Sequence, residues 1–162
     1  MMSSRGWFWV LVAIAIAGGV TLAALPRGIR NNNPGNLRRT TDKWLGLAAE
    51  QTDPEYFQFE RPEFGLRAMG VVLLNYAERH KLNTVRAIVA RYAPAHENPT
   101  DSYIANVAAR LRVGPDEPFD VRARLLALMR AMVIQENGAA AAALHVTPPL
   151  YDAAFVLIGA RA

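Results

Sequence analysis

The stretch "RGIRNNNPGNLRR", Arg27 to Arg39, packs three asparagines, a proline, a glycine and a fourth asparagine between arginines. Each side-chain amide demands hydrogen bonds, so the run cannot be an ordinary apolar core segment. Asn33-Pro34-Gly35 is turn chemistry: proline sets φ, and glycine is expected to supply a positive φ. The turn therefore opens a folded domain at about residue 26, and what lies on either side of it differs sharply.

Upstream, Trp7 to Leu25 ("WFWVLVAIAIAGGVTLAAL") carries no charge. As a helix, nineteen residues span about 28 Å, close to the roughly 30 Å hydrocarbon thickness of a bilayer. A secretory signal has a shorter apolar region and a small-x-small cleavage site, and Thr21-Leu22-Ala23 is a mediocre one. Residues 1–25 thus read as an N-terminal membrane anchor more than a removed signal segment, with the lipid bilayer as partner through residues 7–25. Arg5 precedes the span, while Arg27, Arg30, Arg38, Arg39 and Lys43 follow it, so charge does not settle the topology. A bacterial inner membrane with a periplasmic domain and a virion membrane are both compatible locations.

Downstream, 26–162 fits one domain, and an apolar fraction of 52% in the whole 162-residue chain is ample for a core. The pattern predicts a mainly α domain with one small irregular or β-hairpin insert around Asp42 to Phe59. Pro62 suits the first turn of a helix whose apolar stripe, Leu66, Met69, Leu73 and Tyr76, ends near His80. Thr84 caps a second, with Val85, Ile88, Val89 and Tyr92 inward. Thr100 or Asp101 starts a third, carrying Tyr103, Ile104, Val107 and Leu111. Asp120 is expected to cap a fourth, which buries Leu125, Leu128, Met129, Met132 and Val133 and stops at Gly138. A last short helix is expected near Tyr151 to Ile158. No repeat or internal boundary appears.

The chain holds 18 Lys plus Arg against 14 Asp plus Glu, a net +4, and no basic run exceeds two residues. That mild, dispersed excess argues against a nucleic-acid partner and suits an anionic polymer such as cell wall. The absence of cysteine removes thiol catalysis and Cys-based metal sites. His80, His96 and His145 lack ligand spacing, so no metal and no cofactor is expected. Among the carboxylates Glu136 stands apart, because "LLALMRAMVIQENG" sets one acid at the end of a strongly apolar helix. Burial there would raise its pKa and hold a proton near neutral pH. The plainer reading is a solvent-facing residue ahead of a routine Asn137-Gly138 cap.

A resemblance bears on that choice. In order, "GIRNNNPGNLR", "WLG", "QTD", "FQFERPEFGLRAM", "NTVRAIVARYAPAHENPTDSYI" and "IQENG" resemble a family of phage and prophage proteins often labelled virion structural proteins, over nearly all of Arg27 to Gly138. More distantly, the chain is similar to lysozyme-superfamily glucosaminidases, which carry an Asn-rich turn, a Trp-x-Gly, an aromatic segment and a Gly-led helix. There the catalytic Glu ends a hydrophobic helix just before the Asn-rich turn, whereas here only the apolar span precedes it. The missing helix is then the one at 120–136, in a circularly permuted lysozyme-like domain.

The resemblance implies a peptidoglycan glycosidase (muramidase, glucosaminidase or lytic transglycosylase) acting on glycan strands. Glu136 would be the general acid. Asn31, Asn32, Asn33, Asn36, Tyr56, Phe59, Tyr92, Glu97 and Asn98 would line the substrate groove, the asparagines holding sugar hydroxyls and N-acetyl groups. A two-carboxylate mechanism would draw on Glu50, Glu60, Glu63 or Glu97; a lytic transglycosylase needs only one. The competing reading is a non-catalytic virion-associated structural or murein-binding protein, with other virion proteins as partners.

Overall fold

The computed structural model describes residues 25–93 and 100–159, and these form a helical domain without regular β-strands. The helices are α1 (Arg27–Arg30), α2 (Pro62–His80), α3 (Val85–Tyr92), α4 (Thr100–Leu111), α5 (Leu125–Asn137), α6 (Ala139–His145) and α7 (Pro148–Gly159). Residues 7–24 of the apolar N-terminal stretch fall outside the described set. Among the described residues no single helix is long and apolar enough to cross a membrane.

The core forms where the apolar stripes meet. α2 packs against α7 and α5, and α4 bridges α3 and α5. Leu66, Met69 and Leu73 of α2 and Leu128, Met129 and Met132 of α5 are fully buried. Burying one such side chain is worth about 1.5–3 kcal/mol, so these six contribute strongly to the stability of the domain. α5 is thereby central, as its apolar pattern predicts.

Local signals mostly act as expected. Pro62 opens α2, and the Thr84 hydroxyl accepts from the Ala87 amide to cap α3. α5 starts later than the sequence suggests. Asp120 caps a preceding turn, accepting from the Ala123 amide through its side chain and from the Arg124 amide through its carbonyl, and the helix proper begins at Leu125. The alanine run at 139–143 is helical too, as part of α6.

The insert between the Asn-rich turn and α2 is irregular. Two isolated antiparallel bridges, Arg38 with Tyr56 and Leu47 with Phe59, stand where a hairpin ladder was conceivable. Side-chain amides occupy the intervening backbone groups. Gln51 Nε2 donates to the Ala48 and Gln58 carbonyls, and Asn33 Nδ2 donates to those of Leu37 and Phe57. These bonds add to the few backbone pairs across the insert, such as Ala48 N–H to the Gln58 carbonyl and Phe57 N–H to the Leu37 carbonyl, so the chain is pinned without a sheet.

The turn also departs from expectation in detail. Positive φ falls on Asn32 (51°) and Asn36 (48°), not on Gly35. Asparagine tolerates this region because its short side chain hydrogen-bonds locally. Gly35 is required for another reason: a Cβ there would stand 2.5 Å from the Tyr92 hydroxyl and 2.9 Å from the Met69 sulfur.

Candidate functional site

The C-terminal end of α5 docks on the Asn-rich turn. Asn137 Nδ2 donates to the Pro34 carbonyl at 2.7 Å and to Val133 at 2.9 Å, joining the helix end to the turn. A Cβ on Gly28 would lie 2.5 Å from Asn137 Oδ1 and 2.9 Å from Asn36 Oδ1, so only glycine permits this approach. Those two amide oxygens have no hydrogen-bond partner.

This docking delivers Glu136 to the turn. Its Oε2 accepts from Asn36 Nδ2 at 2.9 Å, and its Oε1 accepts from the Tyr103 hydroxyl at 2.8 Å. Burial disfavours the carboxylate charge and raises the Glu136 pKa, while the two hydrogen bonds oppose that rise. No cation is among these partners. The result is an acid biased toward its protonated form and fixed in orientation by two neutral donors.

Glu136 lies on a cleft of about 380 Å³, within the range of small-ligand sites. One side is formed by the segment after the turn, including Asn36, Arg38 and Trp44, with Tyr56. The other comes from α2 and α3, through Tyr76, Arg91 and Tyr92. The Tyr92 hydroxyl donates to the Gly35 carbonyl at 2.6 Å, holding the two sides together.

The structure brings Glu136, Asn36, Tyr56 and Tyr92 to one cleft, but it gives the other asparagines different tasks. Asn31 is buried and donates to Asp53 at 2.7 Å. Asn32 donates to the Phe59 and Glu60 carbonyls. Asn33 is fully buried, with Nδ2 donating to Leu37 and Phe57 and Oδ1 accepting from the Leu37 amide. The expectation that all four amides face the groove is therefore corrected: three hold the insert in place, because the Asp53 carboxylate claims the Asn31 donor and backbone carbonyls claim those of Asn32 and Asn33. Phe59 is likewise corrected from sugar stacking to core. Glu97 and Asn98 lie outside the described residues.

Of the proposed second acids, Glu50 and Glu60 are exposed and Glu63 pairs with Arg61 at 3.2 Å; none lines the cleft. Among the described residues the cleft carboxylates are Glu136 and Asp42. Sequence reasoning took Tyr103 for a core aromatic and Asn137 for a routine cap. The available signal was their polarity: a hydroxyl on an apolar stripe and an amide at an apolar helix end each need a buried partner. Among the described residues no cluster of three His, Asp or Glu side chains is placed to hold a metal ion.

Fold and site together define a helical domain with a part-buried acid lining a cleft. No protein-family model matches the chain. It is 33% identical over 135 residues to Protein P5 of Pseudoalteromonas phage PM2, covering 77% of this chain and 84% of that protein. The chain belongs to the family of that phage protein.

Proposed function

We propose that this protein is a membrane-tethered, phage-type enzyme that cleaves the glycan strands of peptidoglycan, with Glu136 as general acid. The observation that carries the reading is a carboxylate with a raised pKa, held by Asn36 and Tyr103 at the edge of a ligand-sized cleft. Each carboxylate oxygen accepts one bond from the protein, and a second lone pair remains to carry the transferable proton.

Protonated Glu136 donates to the glycosidic oxygen as the bond to C1 breaks, and the leaving sugar departs as an alcohol. The resulting carboxylate then takes the proton of a hydroxyl on the same sugar as that hydroxyl bonds to C1. This one-carboxylate route, the lytic-transglycosylase outcome, fits a cleft that Glu50, Glu60 and Glu63 do not line. Asn36 orients the acid through both steps. The permuted lysozyme-like arrangement is consistent with α5 ending at the Asn-rich turn, a hundred residues away in sequence. The apolar stretch 7–25 would tether this activity to a bilayer, in the cell or in the virion.

Zymography on purified murein is the test. Wild type is expected to clear the substrate and Glu136→Gln to fail, while Asp152→Asn, on the exposed face of α7, retains activity. Retained murein binding without clearing by any of the three proteins would instead support the virion-associated binding role.

A further inference from the structure

The peptide unit that joins Gly35 to Asn36 is held at both ends. Its carbonyl, on Gly35, accepts from the Tyr92 hydroxyl of α3 at 2.6 Å, and its N–H, on Asn36, donates to the Asn33 carbonyl at 2.8 Å. One residue earlier, the Pro34 carbonyl accepts from Asn137 of α5. Two helices thus grip consecutive carbonyls of one turn. Asn36 follows the fixed peptide plane at φ 48°, a left-handed value that a residue with a Cβ keeps where its surroundings enforce it. From that backbone its Nδ2 reaches Glu136 Oε2 at 2.9 Å.

Tyr92 also lines the cleft, which suits a second role, ring stacking on a ligand. The hydroxyl separates the two roles. Stacking uses the ring face, which phenylalanine retains. The bond to Gly35 uses the oxygen, and the turn fits closely over it, since a Cβ on Gly35 would stand 2.5 Å from that hydroxyl.

We infer that Tyr92 is a positioning residue for Glu136, acting through the Gly35–Asn36 peptide unit and the Asn36 amide. Its effect on turnover rests on the reading of Glu136 as proton donor; its effect on the carboxyl itself does not. The Asn36 bond opposes the burial-driven rise of the Glu136 pKa. Freeing the peptide unit weakens that bond, so loss of the Tyr92 hydroxyl should raise the pKa further. The other titratable and charged groups at the acid are Tyr103 of α4, bonded to it, and the cleft residues Arg38, Asp42, Tyr56, Tyr76 and Arg91. Tyr92→Phe leaves all six in the chain.

The experiment follows carboxyl titration by carbon NMR in the full-length chain in detergent, labelled at glutamate, with Glu136→Gln identifying the resonance. Tyr92→Phe is expected to raise the Glu136 pKa by about half a unit to one unit, the scale of one net hydrogen bond. Asn36→Gly removes the amide while glycine accepts the left-handed φ, and it should raise the pKa at least as far. Adding Tyr92→Phe to Asn36→Gly should then add less than about 0.3 unit, because the amide through which the tyrosine acts is gone. Tyr151→Phe, a buried tyrosine of α7 outside the cleft, is the control and should leave the titration in place. In murein turnover Tyr92→Phe should lower kcat about threefold and change KM less than about twofold.

An unmoved Glu136 titration in Tyr92→Phe, or an equal shift with and without the Asn36 amide, overturns the inference. A raised KM with kcat and titration unchanged assigns the Tyr92 hydroxyl to ligand contact and overturns it as well. The expected shifts in a protein that cleaves no murein leave the positioning role standing and remove the glycosidase. Murein cleavage with an unmoved titration does the reverse.

Discussion

Two carboxylates receive an amide from the same Asn-rich turn, and they have opposite electrostatic fates. Asn31 donates to Asp53 and Asn36 donates to Glu136, in each case within 3 Å. Asp53 also takes a two-point bond from Arg27, with Nε and Nη2 each at 2.7 Å, and backbone amides from Glu55 and Tyr56. The Arg27 guanidinium holds its carboxyl well below the usual carboxylate range. Glu136 has only the neutral donors Asn36 and Tyr103, and burial pushes it up. A cation therefore makes one acid a permanent anchor, and its absence leaves the other able to exchange a proton.

The comparison breaks most visibly in turnover. If Glu136 is the proton donor, Glu136→Gln should lower murein cleavage by roughly 10² to 10⁴-fold, the usual scale of general-acid catalysis. Single-turnover kinetics on isolated glycan strands measure this. An unchanged rate would return Glu136 to a structural role like that of Asp53.

Asp53→Asn should act on stability instead. It removes one of the two carboxylate partners of Arg27, whose Nη1 still pairs with Glu55 at 2.6 Å, and should cost about 1–2 kcal/mol. Chemical denaturation should show that loss at neutral pH. The sign follows from the lowered pKa: the anchor contributes fully above the ordinary carboxylate range and is lost as pH falls through the folded value. The gap between wild type and Asp53→Asn should thus close in strong acid.

Tyr103→Phe sharpens the contrast at the site itself. It deletes a donor that opposes the burial-driven rise, so the Glu136 pKa should climb further. The limb of the pH–rate profile that reports Glu136 ionisation should move to higher pH. Turnover should fall by about threefold to tenfold, the equivalent of one net hydrogen bond.

The smallest effect is the stability of Glu136→Gln. A raised pKa means the folded state binds its proton more tightly than the unfolded chain does. Stability contributed by that proton is full below the ordinary value of 4.5 and is lost as pH rises through the folded pKa. Glutamine escapes the loss, and its amide suits the site: Oε1 accepts from Asn36, and Nε2 donates to the Tyr103 oxygen once that hydroxyl turns. The variant should match wild type near pH 4 and melt slightly higher at neutral pH, which differential scanning calorimetry checks. A lower melting temperature at neutral pH would mean that the carboxylate charge is stabilising, as in Asp53.

Much of this architecture is set by local sequence. The 3.6-residue periodicity of α2 and α5, Pro62 at a helix start, the Thr84 cap and the stop at Gly138 depend on neighbours a few residues away, so the helices and their buried faces follow from the chain read linearly. The polarity of the Asn-rich turn and the apolar setting of Glu136 are visible in the same way. What each asparagine does is not. Asn31 meets Asp53, Asn33 meets Leu37 and Phe57, and Asn36 meets Glu136, contacts spanning from four to a hundred residues. Four identical side chains in one turn carry no mark of which will be buried. That is decided when α5 docks against Gly28 and the turn, because an amide bonds to whatever donor or acceptor the packed core leaves within 3 Å, and only the tertiary structure determines which one that is.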